Sequence, residues 1–228
     1  MAGIIELAQF LPYVMRHVPG SPEFVAESYL RMSAIEFCER TRCWRKIVEV
    51  TIDESQTVAM VAPYYAAIHE IEYASFSNDG HPKAPLIPTQ HSDLADRYRA
   101  DLESQPGPPR YITQVNPNCI TVFPVMPGVI ELSLFLKPRM GQDFGPGDSD
   151  APITDTLNVV PEFLLSQWGE VIANGALAKM LLQPQTKWYD PQRAAYFEGK
   201  FERACDSKFA QSMRGQHRAP KRTRFRFM

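Results

Sequence analysis

Two segments with helical periodicity, one near each end of the chain, enclose a middle region with the composition of β-strands. Apolar residues recur at helical spacing over residues 21–42 and again over 160–213. Between them, β-branched and aromatic residues form short runs bounded by turn-forming residues. Both helical segments must bury an apolar face, so we expect them to pack together. The order predicts an α+β fold, a helical bundle of N- and C-terminal helices with an inserted antiparallel β lobe.

The N-terminal part, residues 1–44, is predicted to supply the first helices of the bundle. Residues 4–14 favour a short helix that ends near Pro19-Gly20. Ser21-Pro22-Glu23 then has the pattern of a helix start, with Ser as cap and Pro in the first helical position. The residues expected to form the buried stripe of this helix are Ala26, Leu30, Ala34, Phe37, Cys38 and Thr41.

The middle region, residues 45–140, is predicted to be an antiparallel sheet of short strands. The expected strands cover 45–53, 58–61, 67–76, 111–115, 119–123 and 129–137. Residues 116–118 and 124–128 suit hairpin connections between the last three strands. Residues 81–90 are rich in proline and indicate a loop, and Ser92 is a candidate cap for a helix to about residue 102.

The C-terminal bundle helices are expected over residues 159–213, after a Gly-, Asp- and Pro-rich linker at 141–158. The first begins at Val160-Pro161-Glu162, and its predicted apolar face contains Leu164, Trp168, Val171, Gly175 and Ala178. A line of small residues beside this face, Gly169, Ala173 and Ala176, would let another helix approach closely. The last helix begins at Asp190-Pro191 and carries Phe197, Phe201, Cys205 and Phe209 at four-residue intervals.

The last fifteen residues, 214–228, form a basic arm that follows the final helix. They contain six Arg or Lys, two Phe and no acid. Since the whole chain has a formal charge of −2, residues 1–213 carry −8, with 18 basic against 26 acidic side chains. Three interpretations remain open for the arm: a disordered solubilising end, phosphate binding on nucleic acid, or docking in a protein groove. The alternation of Arg and Phe at 224–227 favours the groove.

Chain length, apolar runs and cysteine positions limit the classes of protein to which the chain could belong. At 228 residues the chain suits one large domain or one domain with an insert. The longest apolar runs fall far short of the ~20 residues of a bilayer span, and the N-terminus lacks the pattern of a secretory signal. Cys38, Cys43, Cys119 and Cys205 are scattered, which favours reduced core thiols over a metal site.

No catalytic, cofactor or metal motif is apparent. The five His do not form a helical metal pair, and His69, Glu70 and Glu72 on one predicted strand lack a second cluster to complete a site. An enzyme that uses these three residues remains a weak alternative. The three Asp of 141–150 miss the spacing of a helical calcium loop. No cofactor and no catalytic residue are therefore expected.

The tryptophans allow a core or an interface interpretation. Trp44 and Trp168 lie at strand or helix spacing, which is more typical of core residues than of anchors for a partner. Trp188 and Tyr189 precede the last helix in a predicted loop, where interface aromatics are more common.

Three ordered stretches resemble a family of tailed-bacteriophage head-to-tail adaptor (connector) proteins. The first comprises 11–14, 17–20 and the helix end 34–44, with Phe37, Cys38, Cys43 and Trp44. The second comprises Pro109-Arg110-Tyr111 and the hairpin strand 120–124. The third comprises 175–181, Lys187-Trp188-Tyr189-Asp190-Pro191, and Tyr196, Phe197 and Phe201. The long Pro-rich 77–110 region and the 141–155 loop depart from the family pattern.

The resemblance implies a non-enzymatic virion structural protein of the neck, assembled in the host cytoplasm. Such adaptors form a ring below the portal, usually of twelve copies, through which genome DNA passes without sequence-specific binding. The arm would reach the portal, and the β lobe would hold a tail or nozzle protein. No membrane contact is implied. A nucleic-acid-binding accessory protein is the alternative.

Two sets of interface residues are expected on this basis. The portal-binding set is Arg218, Lys221, Arg222, Arg224, Phe225, Arg226 and Phe227. The set for packing between subunits of the ring is Trp168, Gly169, Ala173, Ala176, Trp188 and Tyr189.

Overall fold

A computed structural model describes residues 3–53, 58–78, 81–90, 92, 107–114, 118–139 and 158–214. The chain divides into two compact units. The helical unit contains Met1–Cys43 and Pro138–Met228, and the sheet unit contains Trp44–Lys137. The predicted helix after Ser92, the 141–157 linker and the arm beyond Arg214 lie outside the described residues.

The described elements follow the predicted order in outline, with helices near each end of the chain and strands between them. The α-helices are α1 (Leu11–Met15), α2 (Glu23–Thr41), α3 (Glu162–Met180) and α4 (Pro191–Arg214), and Leu7–Phe10 forms a 3₁₀ helix. The strands are β1 (Ile4–Glu6), β2 (Arg45–Ile52), β3 (Val58–Met60), β4 (Ala66–Asn78), β5 (His81–Pro85), β6 (Ile87–Pro88), β7 (Tyr111–Thr113), β8 (Cys119–Phe123), β9 (Gly128–Pro138) and β10 (Val159–Pro161).

The N- and C-terminal helices pack together, which confirms the predicted mixed fold in which they enclose an inserted sheet. Helix α2 lies against both α3 and α4. At the α2–α3 contact, the Ser33 hydroxyl donates a hydrogen bond of 2.7 Å to the carbonyl oxygen of Ile172. Gly175 of α3 lets the helices approach, because a Cβ there would meet the Phe201 ring at 2.8 Å and also Ser33. The predicted apolar stripe of α2 is buried along its whole length.

The starts of the first two predicted helices differ from expectation. Residues 4–6 form strand β1, paired antiparallel with β10, rather than the start of a helix. Pro22 is the residue that precedes α2 and has extended backbone angles, so it is not in the first helical position. The hydroxyl of Ser21 is buried without a hydrogen-bond partner among the described residues and does not cap the helix. The last helix does begin as predicted, since the Asp190 carboxylate accepts a 3.0 Å hydrogen bond from the Arg193 amide.

The apolar row of α4 is buried only over its first three members. Phe197, Phe201 and Cys205 are buried, but Phe209 is exposed. An α-helix has 3.6 residues per turn, so residues four apart drift about 40° at each step, and the fourth member lies roughly 120° from the first. The drift turns Phe209 out of the core.

The described strands of the sheet unit form two four-stranded sheets rather than one. Their strand orders are β2-β9-β4-β5 and β3-β8-β7-β6. The pairs β2–β9, β4–β5, β3–β8 and β7–β8 are antiparallel, as predicted, whereas β6 and β7 are parallel. The predicted hairpin of β7 and β8 is confirmed, with Ile112 opposite Val122.

The second predicted hairpin, between β8 and β9, is wrong. Strand β9 has β2 and β4 as its neighbours, while β8 has β3 and β7. Both edges of each strand are thus occupied, which leaves none for pairing β8 with β9. Pro124 and Pro127 in the connection lack an amide hydrogen and cannot extend the β8 ladder. The connection therefore leads from one sheet into the other.

The 81–90 segment contains two strands instead of the predicted loop. Strand β5 is an edge strand of the first sheet and β6 an edge strand of the second. Prolines 82, 85 and 88 are compatible with edge positions, where one side of the backbone needs no ladder partner.

Candidate interaction surfaces

The residues predicted to bind the portal lie beyond the last described residue, Arg214. Arg218, Lys221, Arg222, Arg224, Phe225, Arg226 and Phe227 are outside the described residues, so their role stays a prediction. Helix α4 runs 24 residues to Arg214, and the arm therefore starts where this helix ends.

The small residues predicted to pack between subunits lie inside their own helical unit. Gly169, Ala173 and Ala176 are buried on α3. A Cβ at Gly169 would lie 3.2 Å from Leu165 and 3.6 Å from Tyr13, so this glycine faces α1. Their small size is thus used for contacts within the chain.

Trp168 is half-buried and contacts the core on one side. Its ring lies 5.4 Å from that of Phe37, and the Lys208 ammonium lies 4.7 Å from its centre. Its indole nitrogen is buried without a hydrogen-bond partner among the described residues. Trp44, in the sheet unit, is buried and stacks on Tyr65 at 6.0 Å, which confirms its interpretation as a core residue.

Trp188 and Tyr189 belong to the turn between α3 and α4. The turn is held by a 2.9 Å hydrogen bond from the Asp190 amide to the Leu181 carbonyl and by one of 3.3 Å from the Tyr189 amide to Thr186. Trp188 is half-buried, whereas Tyr189 is 51% exposed. Tyr189 is available to a partner at this end of the helical unit.

An acidic groove lies where α2, α3 and α4 meet. Its apolar floor is formed by Gly175, Ala178 and Phe201, and Leu182 is 51% exposed at its edge. The Glu36 carboxylate pairs with the Lys179 ammonium and, at 3.6 Å, with the Arg40 guanidinium. Arg40 also reaches Asp206 at 3.5 Å.

Glu198 and Glu202 of α4 line the same groove and are exposed. Three carboxylates line the groove, those of Glu36, Glu198 and Glu202, against the two cations Arg40 and Lys179. Both cations pair with Glu36, and Arg40 also pairs with Asp206. The groove is therefore net acidic beside exposed apolar surface.

A basic cluster surrounds His17 at the end of α1. The Arg16 Nε lies 3.1 Å from His17 Nε2, and an Arg193 nitrogen lies 3.2 Å from Nδ1. The Lys200 ammonium lies 4.7 Å from the centre of the Tyr196 ring, which is 56% exposed. Burial, followed by the charges of Arg16, Arg193 and Lys200, lowers the pKa of His17. The neighbouring cations thus favour the neutral imidazole over the charged form.

Of the candidate catalytic residues His69, Glu70 and Glu72, Glu72 participates in structural contacts within the sheet unit. Glu72 accepts hydrogen bonds from both Arg45 and the Ser133 hydroxyl, the latter at 2.7 Å. Within the described part of the chain, no group of three or more His, Cys, Asp or Glu could hold a metal ion. Strand β2 forms an edge of its sheet, and its Ile47 is 66% exposed.

All four cysteines are free thiols. Cys38 and Cys205 are buried in the helical unit, as predicted for core thiols, while Cys43 and Cys119 are half-buried. Burial raises the pKa of the Cys205 thiol to about 11. A hydrogen bond from Cys38 lowers the pKa of Cys43, an effect that burial opposes.

Sequence reasoning overlooked the charge pattern of α4. Glu198, Glu202 and Asp206 follow one another at four-residue spacing, which places them along one side of a helix. A search for like charges at helical period would have found this row. The basic cluster around His17 could be found only in the tertiary structure, because it combines Arg16 and His17, which follow α1, with residues of α4.

The fold defines a class: a mixed α+β protein with a helical unit built from both ends of the chain and an inserted sheet unit. The described residues contain no helix that is both long and apolar enough to span a bilayer. A family model, SU10 adaptor protein, matches residues 6–224. This chain belongs to the SU10 adaptor protein family, and it is a phage head-to-tail adaptor, a structural component of the virion. No curated protein matches the sequence.

Proposed function

We propose that copies of this chain form a ring, usually of twelve in such adaptors, that docks under the portal through residues 214–228. The family assignment carries this proposal, and the match extends to residue 224, well into the arm. The arm follows a 24-residue helix, α4, which ends at Arg214. The protein has no enzymatic role in this proposal.

The arm supplies two kinds of contact. Its six Arg and Lys can form charge-assisted hydrogen bonds, and Phe225 and Phe227 can bury apolar surface. Ordering the backbone costs roughly 1–2 kcal/mol per residue. These contacts must offset that cost, and several arms engaging one ring of portal subunits would increase the total affinity.

The sheet unit is the proposed platform for the tail or nozzle protein. Support comes from β2, which is an edge strand among the described strands and carries the exposed Ile47. Edge strands and exposed apolar residues suit contact with a partner. Genome DNA would pass through the ring, and the excess negative charge of residues 1–213 would disfavour its adhesion.

The test of arm docking is deletion of residues 214–228. The truncated chain is expected to keep the thermal stability of the full chain and to bind portal at least about tenfold more weakly, measured by co-sedimentation. Normal assembly of the truncated chain on the portal would contradict the proposal.

Two double-substitution variants distinguish portal docking of the arm from phosphate binding by the arm. The variant F225A/F227A keeps every charge of the arm, whereas R224Q/R226Q keeps both aromatic rings. Groove docking predicts that both variants lose portal affinity, whereas nucleic-acid binding would be weakened by R224Q/R226Q alone. DNA binding that falls steeply with salt and disappears on deletion of 214–228, with portal binding intact, would favour the nucleic-acid-binding accessory protein.

A further inference from the structure

Helix α4 carries opposite charges on its two exposed sides. We define its acidic flank as Glu198, Glu202 and Asp206, together with the apolar Leu182 and Phe209. We define its basic flank as Arg193 and Lys200 of α4 with Arg16 and the exposed ring of Tyr196. A helix turns roughly 100° per residue, which places the two rows on either side of the buried Phe197–Phe201–Cys205 stripe.

The contacts of the described residues place the flanks on different sides of the helical unit. Glu198 and Glu202 line the groove with residues of α2 and α3. Arg193 lies instead at His17, 3.2 Å from Nδ1, and Lys200 is near enough to influence the same imidazole. The acidic and basic flanks are therefore separated by the width of α4.

The charge rows are poorly explained by the stability of α4 alone. Glu198 and Glu202, and Glu202 and Asp206, are like charges four residues apart, an arrangement that destabilises an isolated helix. A helix stabilised by its own surface would alternate signs at this spacing. Each flank also contains exposed apolar surface, 51% of Leu182 on one and 56% of Tyr196 on the other.

We propose that the acidic flank of one copy binds the basic flank of the next copy of this chain. Charge complementarity identifies the occupant, because the two flanks match each other in sign and both pair charge with an apolar contact. A contact between two different surfaces of identical chains is heterologous, and such a contact generates a ring when the rotation from copy to copy closes. This inference rests on the proposed ring and names its contact surface.

The predicted interface differs from the one expected from the sequence. Gly169, Ala173 and Ala176 are buried within the chain. The charged residues of the two flanks on α4 are exposed, except Lys200, which is half-buried. Tyr189, which is exposed at the start of α4, would lie at the end of this interface.

Charge reversal tests the contact with full-length chains on portal rings. E198K/E202K gives a chain with two basic flanks, and R193E/K200E gives one with two acidic flanks. Either variant alone is expected to need at least about tenfold more protein to saturate the portal, since like charges then face each other. A one-to-one mixture is expected to recover wild-type saturation, because basic and acidic chains can alternate around the ring.

The matched control for E198K/E202K is E6K/E170K, which makes the same change of net charge at exposed acids on β1 and α3. It is expected to saturate the portal like the wild type. Wild-type saturation by both reversed variants, or failure of the mixture when circular dichroism shows both chains folded, would overturn the proposal.

A second measurement uses the wild-type chain and needs no substitution. Zero-length carbodiimide coupling should join Glu198 or Glu202 of one copy to Lys200 of another, and the yield should fall as salt increases. Peptide mapping that finds no such junction in assembled rings would also overturn the contact. If the arm-deleted chain still binds portal, arm docking fails, and the junction between copies remains measurable independently.

Discussion

At the scale of single residues, Asn118 connects the two sheets of the sheet unit. Its side-chain oxygen accepts a 3.0 Å hydrogen bond from the Ile68 amide, and its side-chain nitrogen donates one of 3.0 Å to the Ala66 carbonyl. Its own carbonyl accepts a hydrogen bond from the Val61 amide. The backbone of Asn118 has a positive φ of 64°, a conformation that asparagine tolerates better than most residues. One buried side chain thus fixes the start of β4 next to the start of β8.

We expect N118G to destabilise the sheet unit by about 1–3 kcal/mol, because it keeps the positive φ but removes both side-chain hydrogen bonds. N118D keeps the acceptor for Ile68 and loses the donor to Ala66. Chemical unfolding gives the stability, and hydrogen exchange at the Ile68 amide gives the local effect. The Ile68 amide should exchange faster in N118G than in N118D, and equal protection in all three proteins would contradict this role.

His17 gives the helical unit a pH-dependent stability. Because burial and the neighbouring cations lower its pKa below 6.5 in the folded state, protonation favours unfolding. This contribution is absent well above pH 6.5, where the imidazole is neutral in both states. It reduces stability as the pH falls through 6.5 towards the folded pKa.

The H17Q variant isolates that contribution from those of the carboxylates. The stability of the wild type relative to H17Q should decrease between about pH 7 and pH 5, measured by urea unfolding at each pH. A difference that is constant over this range would show that His17 does not titrate as inferred.

At the scale of elements, two glycines on neighbouring helices have opposite expected effects. A Cβ added at Gly175 of α3 would be too close to Phe201 and Ser33. The Ser33 side chain cannot move away without losing its hydrogen bond to Ile172. A Cβ added at Gly199 of α4 would have no atom of the described residues within 4 Å. Alanine favours a helix over glycine by about 1 kcal/mol wherever there is space for its methyl group.

We therefore expect G175A to destabilise the protein by about 1–3 kcal/mol through overpacking. G199A, the matched control, should stabilise it by about 0.5–1 kcal/mol. Thermal unfolding followed by circular dichroism checks both values. Stabilisation by G175A would mean that α2, α3 and α4 separate more easily than their contacts indicate.

The spacing of apolar residues within an element was sufficient to predict a helix, but it could not predict which other elements pack or pair with that element. The buried stripe of α2 and the first three aromatic or thiol positions of α4 could be predicted because they depend only on helical spacing. The pairing of β1 with β10 could not, since these strands lie more than 150 residues apart and three residues carry almost no pattern.

At the scale of the whole molecule, charge is segregated rather than mixed. The arm is basic, residues 1–213 are net acidic, and α4 repeats the division on its own two sides. In the proposed ring, this segregation would provide one set of contacts with the portal and another between neighbouring copies. Both proposed contacts are therefore expected to weaken as ionic strength rises.

The sequence by itself determined the order of helices α2, α3 and α4 and of strands β2, β3, β4, β7, β8 and β9. It also determined the buried stripe of α2, the basic arm and the family resemblance. These properties depend on local spacing and composition, which can be counted along the chain. Only the tertiary structure decided the split of the strands into two sheets, the parallel β6–β7 pair and the burial of Gly169, Ala173 and Ala176. The tertiary structure also brings Arg16 and Arg193 together beside His17. Such features arise from contacts between residues distant in sequence, and a local pattern cannot specify which of several compatible partners a strand edge or helix face will meet.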